Sequence, residues 1–270
     1  MNIHLLAIDP QNDFCHKDGS LFVPGATEDM ERLAAMINRL KGKIDDIHVT
    51  LDSHRLVDIA HPIWYKDSAG NNPSPFTIMT AADLKSGVWT TTVPSFFTKT
   101  LKYLEDLEAS GRYPHCIWPP HCLIGSSGHN VLPVLYEALA DWESRFATTD
   151  YVTKGSNIWT EHFSAVQAEV PDPSDHTTQL NARLIETLEA ADIVLLAGQA
   201  RSHCVAHTVR DIATNFDPAS VSKLVLLTDA MSDVPDPPGT TMFSDFGKQF
   251  IADLTAMGAR TALTTDFLKE

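Results

Sequence analysis

Four short runs constrain this chain more than anything else in it: IHLLAID at 3–9, DIHVTLD at 46–52, DIVLLAG at 192–198 and KLVLLTD at 223–229. Each is β-rich, apolar almost without interruption, and stops on Asp or Gly. Continuous hydrophobicity, as opposed to alternation, marks strands covered on both faces, so these runs predict a sheet held between helices. The segments between them supply the helices. Within 28–40, Met30, Leu33, Ala34, Ile37 and Leu40 keep the three-and-four spacing of one buried stripe, and 178–190 and 204–214 read similarly. Strand alternating with helix gives the fold class: a three-layer α/β/α unit around a mostly parallel central sheet.

A chain of 270 residues, 43% of them hydrophobic, can bury one core without disulfides or a metal, so residues 1–270 are expected to form a single domain. Residues 62–117 interrupt the alternation with prolines, aromatics and small polar residues, and only 96–109 has helical spacing. That is too long for an ordinary connection, which predicts an inserted lid or subdomain. Its aromatics Trp64, Tyr65, Phe76 and Trp89 are expected to be exposed, to cap a pocket or join subunits. A proline-rich stretch, DVPDPPG at 233–239, reads as a surface loop.

Twenty Lys and Arg against 35 Asp and Glu give a net charge of −15, which opposes binding to nucleic acid or an anionic membrane. No apolar stretch reaches the length of a membrane span, and MNIHLLAIDP lacks the basic start of a signal peptide, so a cytoplasmic location is expected. Cys15, Cys116, Cys122 and Cys204 form no CxxC pair and are expected to be free thiols.

In an open α/β sheet the ligand crevice lies beyond the carboxyl ends of the strands, and those ends carry Asp9, Asp52, Gly198 followed by Cys204, and Asp229. Asp229 is read as a simple cap. Cys204, in GQARSHCVAHT, is expected at a helix N-terminus, where unpaired N–H groups favour a thiolate. Just past the second strand, Asp52, His54 and His61 combine a carboxylate with imidazoles, and WPPHC adds His121 on a proline-set loop. Such a donor set suits Zn²⁺, Fe²⁺ or Mn²⁺.

Five separated pieces, IDPQNDF, LDSH, WPPHC, VTKG and GQARSHC, occur in one order. Together they resemble the nicotinamidase branch of the isochorismatase-like cysteine hydrolases, from about residue 3 to 230 apart from the insert. The resemblance implies a catalytic triad of Asp9, Lys154 and Cys204. It implies an oxyanion hole from the Ala200 and Cys204 amides beside a cis Gln199–Ala200 peptide. It places the metal, zinc first with iron or manganese as alternatives, on Asp52, His54 and His121, with His61 as a further ligand. Phe14 and Trp118 would sandwich a substrate ring, with Gln199 and Phe163 also in contact. EHFSAV at 161–166 departs from the family's usual D-x-Y-S-A-F by placing Phe163 where a tyrosine is common. The implied reaction converts nicotinamide and water to nicotinate and ammonia through a Cys thioester. The alternatives are another small carboxamide or a catalytically silent binding module. A small-molecule amide substrate and a homo-oligomer are the expected partners.

Overall fold

The computed structural model describes residues 1–269. In chain order the strands are β1 (Ile3–Ile8), β2 (Asp46–Asp52), β3 (Tyr65–Lys66), β4 (Thr90–Thr91), β5 (Asp150–Lys154), β6 (Ile193–Gly198), β7 (Leu224–Leu227) and β8 (Arg260–Ala262). All but β3 and β4 build one sheet in the order β5-β2-β1-β6-β7-β8, with every neighbouring pair parallel. Every residue of β1 and β7 is buried, as is all of β6 beyond its half-buried first residue, as their uninterrupted apolar sequences require.

The helices are α1 (Asn12–Cys15), α2 (Ala26–Leu40), α3 (Ala81–Ser86), α4 (Phe97–Ser110), α5 (Pro133–Glu143), α6 (Ala182–Glu189), α7 (Ala206–Asn215) and α8 (Met242–Ala256). α2 packs on α5 and α7 on α8, and helices cover both faces of the sheet. No described helix is long and apolar enough to cross a membrane. The expected α/β/α architecture is therefore the one observed.

Strand order explains where the site lies. From β1 the chain builds outward through β2 to β5, then returns to β6 on the other side of β1 and builds the opposite way. The reversal point, between β1 and β6, opens a crevice at the carboxyl ends of the strands. Register sets the level: Ile8 pairs with Gly198 and Asp52 with Lys154. Asp9, Asp52, Lys154 and the turn after Gly198 thus emerge along one edge. Gly198 has φ +119°, and a Cβ there would lie 2.0 Å from the Ile8 carbonyl oxygen. Only glycine fits that approach.

Two strands escape the sequence pattern because they are edges. In β5 (DYVTK) only Lys154 is fully buried, and β8 (RTA) is mostly exposed, so neither presents a continuous apolar run. α6 begins at Ala182, where the Asn181 side chain accepts the Leu184 N–H, instead of at 178. Cys204 lies on a wide π-type turn, Arg201–Val205, that leads into α7.

The insert corrects one expectation. Trp64 and Tyr65 are buried, and Phe76 and Trp89 are partly so. Trp64 Nε1 donates to Thr100 Oγ1 at 3.0 Å, and Trp64 and Tyr65 join Leu84, Tyr103 and Leu104 in a second apolar cluster under α3, α4 and the β3–β4 hairpin. Aromatic side chains of this size are more stable packed against one another than facing water. α3 starts at a reciprocal capping box between Thr80 and Asp83 and stops at Gly87, a short helix with too few turns to show a periodic stripe.

Candidate active site

Asp9 follows β1 in a left-handed conformation, φ +44°, and is fully buried. Its Oδ1 accepts the Thr50 hydroxyl at 2.5 Å, and its Oδ2 lies 3.0 Å from Lys154 Nζ. That ammonium also contacts Asp52 Oδ1 at 3.0 Å, the His162 carbonyl at 2.8 Å and Cys204 Sγ at 3.7 Å. Asp9, Lys154 and Cys204 are therefore brought together, and Lys154 joins Asp9 to Asp52. Burial alone would lower the Lys154 pKa, but the Asp52 and Asp9 carboxylates and Cys204 hold it well above its ordinary value.

The thiol behaves differently from the sequence expectation. Burial pushes Cys204 well above the ordinary thiol range; Lys154 pulls it down, while Asp9 and Asp52 push it further up. At rest Cys204 is a thiol, not the thiolate expected of a helix N-terminus, and any reaction at its sulfur would need a neighbouring base to take the proton. Asp9 is the carboxylate brought beside it. Burial raises its pKa, offset by Lys154 and reinforced by Asp52.

Beside this group, Asp52, His54 and His121 present donor atoms within 4.8 Å of one another. His54 Nε2 lies 3.0 Å and His121 Nε2 3.5 Å from Asp52 Oδ2. His61 stands with them, its ring centroid 5.3 Å from His54 and 5.7 Å from His121. In each ring Nδ1 is already engaged: by Asp58 Oδ2 at 3.1 Å in His54, the Pro119 carbonyl at 2.8 Å in His121 and the Leu56 carbonyl at 3.2 Å in His61. Anchoring Nδ1 sets the tautomer and leaves Nε2 as the donor.

These residues could hold a metal ion. His61 Nε2 is buried with no protein partner. His54 is flanked by carboxylates that hold its pKa well above the ordinary value against the opposing effect of burial, so the position favours a cation. Burial opposes ionisation of Asp52, yet His54 and Lys154 keep its pKa well below the usual range.

Residues of the first motif brace these groups. The Gln11 carboxamide brackets the Asp52 backbone, accepting its N–H at 2.7 Å and donating to its carbonyl at 2.8 Å. Asp13 Oδ2 accepts the Cys122 N–H at 2.7 Å and so pins the loop that carries His121. IDPQNDF thus supplies Asp9 and also ties two other loops to it.

Phe14, Trp118, Phe163, Ala200 and Cys204 line one cavity with Asp52 and His121. Its volume is about 20 Å³, room for about one water. The Gln199–Ala200 peptide is cis, and the Ala200 N–H has no protein acceptor among the described residues. Gln199 corrects an expectation: it is fully buried behind the cavity, donating to Asp29 Oδ2 at 2.9 Å and accepting the Ser232 N–H at 3.2 Å. Both atoms of its carboxamide are thus engaged by the protein.

The cavity also contains His203 and Glu161, neither expected from sequence. Glu161 Oε1 accepts the His162 N–H at 3.2 Å, whereas Oε2 is buried without a partner. The Glu161 N–H donates to the Tyr103 hydroxyl of α4, so the insert reaches the wall of the site. Burial raises this carboxyl from 4.5 to about 8. Folding then holds a proton that the unfolded chain has lost, and stability declines as pH rises from about 4.5 to about 8. In Glu161→Gln, the denaturation midpoint of the chelator-treated protein should decline less across that interval than in the parent; an unchanged slope would refute this assignment.

No protein-family model matches the chain, and no curated protein matches it. Solved structures do. The chain is similar to a nicotinamidase–pyrazinamidase of Acinetobacter baumanii, with 22% identity, TM-score 0.64 and coverage of 99% of this chain and 98% of that one. It is similar to yeast nicotinamidase, with 20% identity, TM-score 0.66 and coverage of 96% and 99%. A pyrazinamidase of Pyrococcus horikoshii, solved in complex with zinc, gives 16% identity, TM-score 0.56 and coverage of 97% and 99%. Likeness at these identities establishes the fold alone, which is the one these nicotinamidases and pyrazinamidases share.

Proposed function

We propose that this chain is a metal-assisted cysteine amidohydrolase whose substrate is nicotinamide. The observation that carries this reading is Lys154, a buried ammonium that contacts Asp9, Cys204 and the metal-site carboxylate Asp52 at once. A structural ion pair needs no thiol and no three-histidine cluster beside it. The nicotinamidase fold and the zinc in the Pyrococcus horikoshii relative support the same choice.

A pyridine ring lies between Phe14 and Trp118 with its carboxamide toward Ala200 and Cys204. As Sγ attacks the amide carbon, the thiol proton passes to Asp9, and Lys154 stabilises the charge left on sulfur. The Ala200 and Cys204 N–H groups receive the developing oxyanion. Asp9 returns the proton to the amide nitrogen, ammonia leaves and a thioester remains. Asp9 then draws a proton from water as that water attacks the thioester, nicotinate departs and the thiol is restored. Asp52, His54, His121 and His61 would hold the metal, zinc first with iron or manganese as alternatives, which when bound supplies a Lewis acid that orients the ring nitrogen or a water. Because the cavity holds about one water, ring entry requires its wall to open.

A second carboxamide remains in view on one observation: Phe163 brings no hydroxyl to the cavity where the resembled family commonly has tyrosine. Ammonia release from a panel of small carboxamides, before chelation, after it and with zinc restored, tests both readings. Nicotinamide should be the best substrate, chelation should silence the protein, and zinc should restore it. A different preferred amide would shift the substrate and keep the chemistry, whereas silence toward every amide with metal bound would overturn the proposal. The metal site has its own check. Asp58→Asn weakens the hold on His54 Nδ1 and should lower zinc affinity about 10- to 100-fold in competition with a chromophoric chelator. Parental affinity in that variant would remove Asp58 from the site.

A further inference from the structure

Thr50 lies within β2 (DIHVTLD), fully buried between Val49 and Leu51, on the strand face it shares with His48 and Asp52. One residue uses its hydroxyl twice. Oγ1 accepts the backbone N–H of Asp9 at 3.0 Å and donates to Asp9 Oδ1 at 2.5 Å. A carboxylate is free to turn about its Cβ–Cγ bond, so fixing one oxygen fixes the other. The other is Oδ2, 3.0 Å from Lys154 Nζ and buried without a further hydrogen-bond partner. Asp9 also has the left-handed backbone, which a non-glycine residue keeps only where its surroundings hold it. The amide half of the clamp acts on that backbone, and the carboxylate half acts on the side chain.

We propose that Thr50 is a positioning residue for the reaction: its hydroxyl anchors Asp9 Oδ1 so that Oδ2 faces the Lys154 ammonium and the Cys204 thiol. The inference rests on the reading of Asp9 as the base. A packing role alone does not account for the hydroxyl. Valine has nearly the same shape and suits a buried strand position better, and a buried hydroxyl is tolerated only when hydrogen-bonded.

The test compares Thr50→Val and Thr50→Ser in the metal-loaded protein. One readout is the rate of Cys204 alkylation by iodoacetamide at neutral pH, followed by peptide mapping, which needs no turnover. The other separates kcat from KM with nicotinamide. Thr50→Val should alkylate more slowly than the parent and lose about 100-fold in kcat with KM within about threefold, the span that a displaced general base commands. Thr50→Ser, which keeps the hydroxyl, should retain most of both rates. If Thr50→Val does not fold, Thr50→Ala against Thr50→Ser isolates the hydroxyl in the same way, with about a 100-fold gap expected. Parental alkylation and turnover in Thr50→Val, or equal impairment of the serine and alanine variants, would overturn the proposal. If the parent releases no ammonia yet Thr50→Val still slows alkylation, the clamp stands and the substrate reading fails.

Discussion

Cys204→Ala should leave a folded, metal-binding protein whose kcat/KM for nicotinamide is lower by about 10⁴-fold or more, the scale on which loss of a covalent nucleophile acts. The substitution removes one sulfur from a buried position and disturbs no ion pair: Lys154 keeps its 3.0 Å contacts with Asp9 and Asp52. Stability should stay within about 2 kcal/mol of the parent, as expected where neither a charge nor a large volume is lost. Ammonia release and a thermal melt of the same sample check the two halves. Activity near the parental level would show that Asp9 and the metal act on water directly, without the thiol.

Lys154→Met should have the largest effect on stability. It leaves the Asp9 and Asp52 carboxylates buried near one another without the ammonium between them, and breaking a buried pair costs about 3–5 kcal/mol. The loss should depend on pH with a definite sign. Burial already raises Asp9, and losing the lysine raises it further. The native state then keeps a proton that the unfolded chain releases above its ordinary value near 3.8, so stability falls as pH rises from there toward the raised value. The gap between variant and parent should be wider at mildly alkaline pH than at mildly acidic pH in urea titrations. Catalysis should fall as well, because Lys154 is the group that lowers the Cys204 pKa. Equal stability of parent and variant at alkaline pH would mean that the three groups do not share charge as their distances imply.

What could be read in the sequence follows from what each feature depends on. The central strands were legible because full burial leaves a chemical mark on every residue, and β1, β6 and β7 carry it. The edge strand β5 carries no such mark, although it delivers Lys154; only the resemblance pointed to that lysine. Residues named by motif, Asp9, Asp52, His54, His121 and Cys204, converge because parallel register brings strand ends to one level. Residues that act through contact were invisible. Thr50, Gln11, Asp58 and Glu161 look like ordinary polar residues until the fold shows what they touch. Gln199 shows the converse: the resemblance implied a substrate contact, and the fold turns its side chain to Asp29. The insert's aromatics misled for a similar reason, since sequence cannot tell a cap from a small core of its own.

Lys154 also explains why the site is one unit. It is the link through which a change in the Asp52 cluster reaches the thiol, 3.7 Å from the same nitrogen. Asp52 would share its charge between Lys154 and any metal it held, so the two groups would be felt by Asp9 and Cys204 together.

Partitioning of the acyl group tests the central claim most directly. Zinc-loaded protein turning over nicotinamide in the presence of hydroxylamine should form nicotinoyl hydroxamate at the expense of nicotinate, because a thioester on Cys204 offers its acyl group to either nucleophile. Cys204→Ala should form neither product. Ammonia and nicotinate produced at full rate, with no hydroxamate at any hydroxylamine concentration, would contradict the covalent intermediate and with it the role assigned to Cys204.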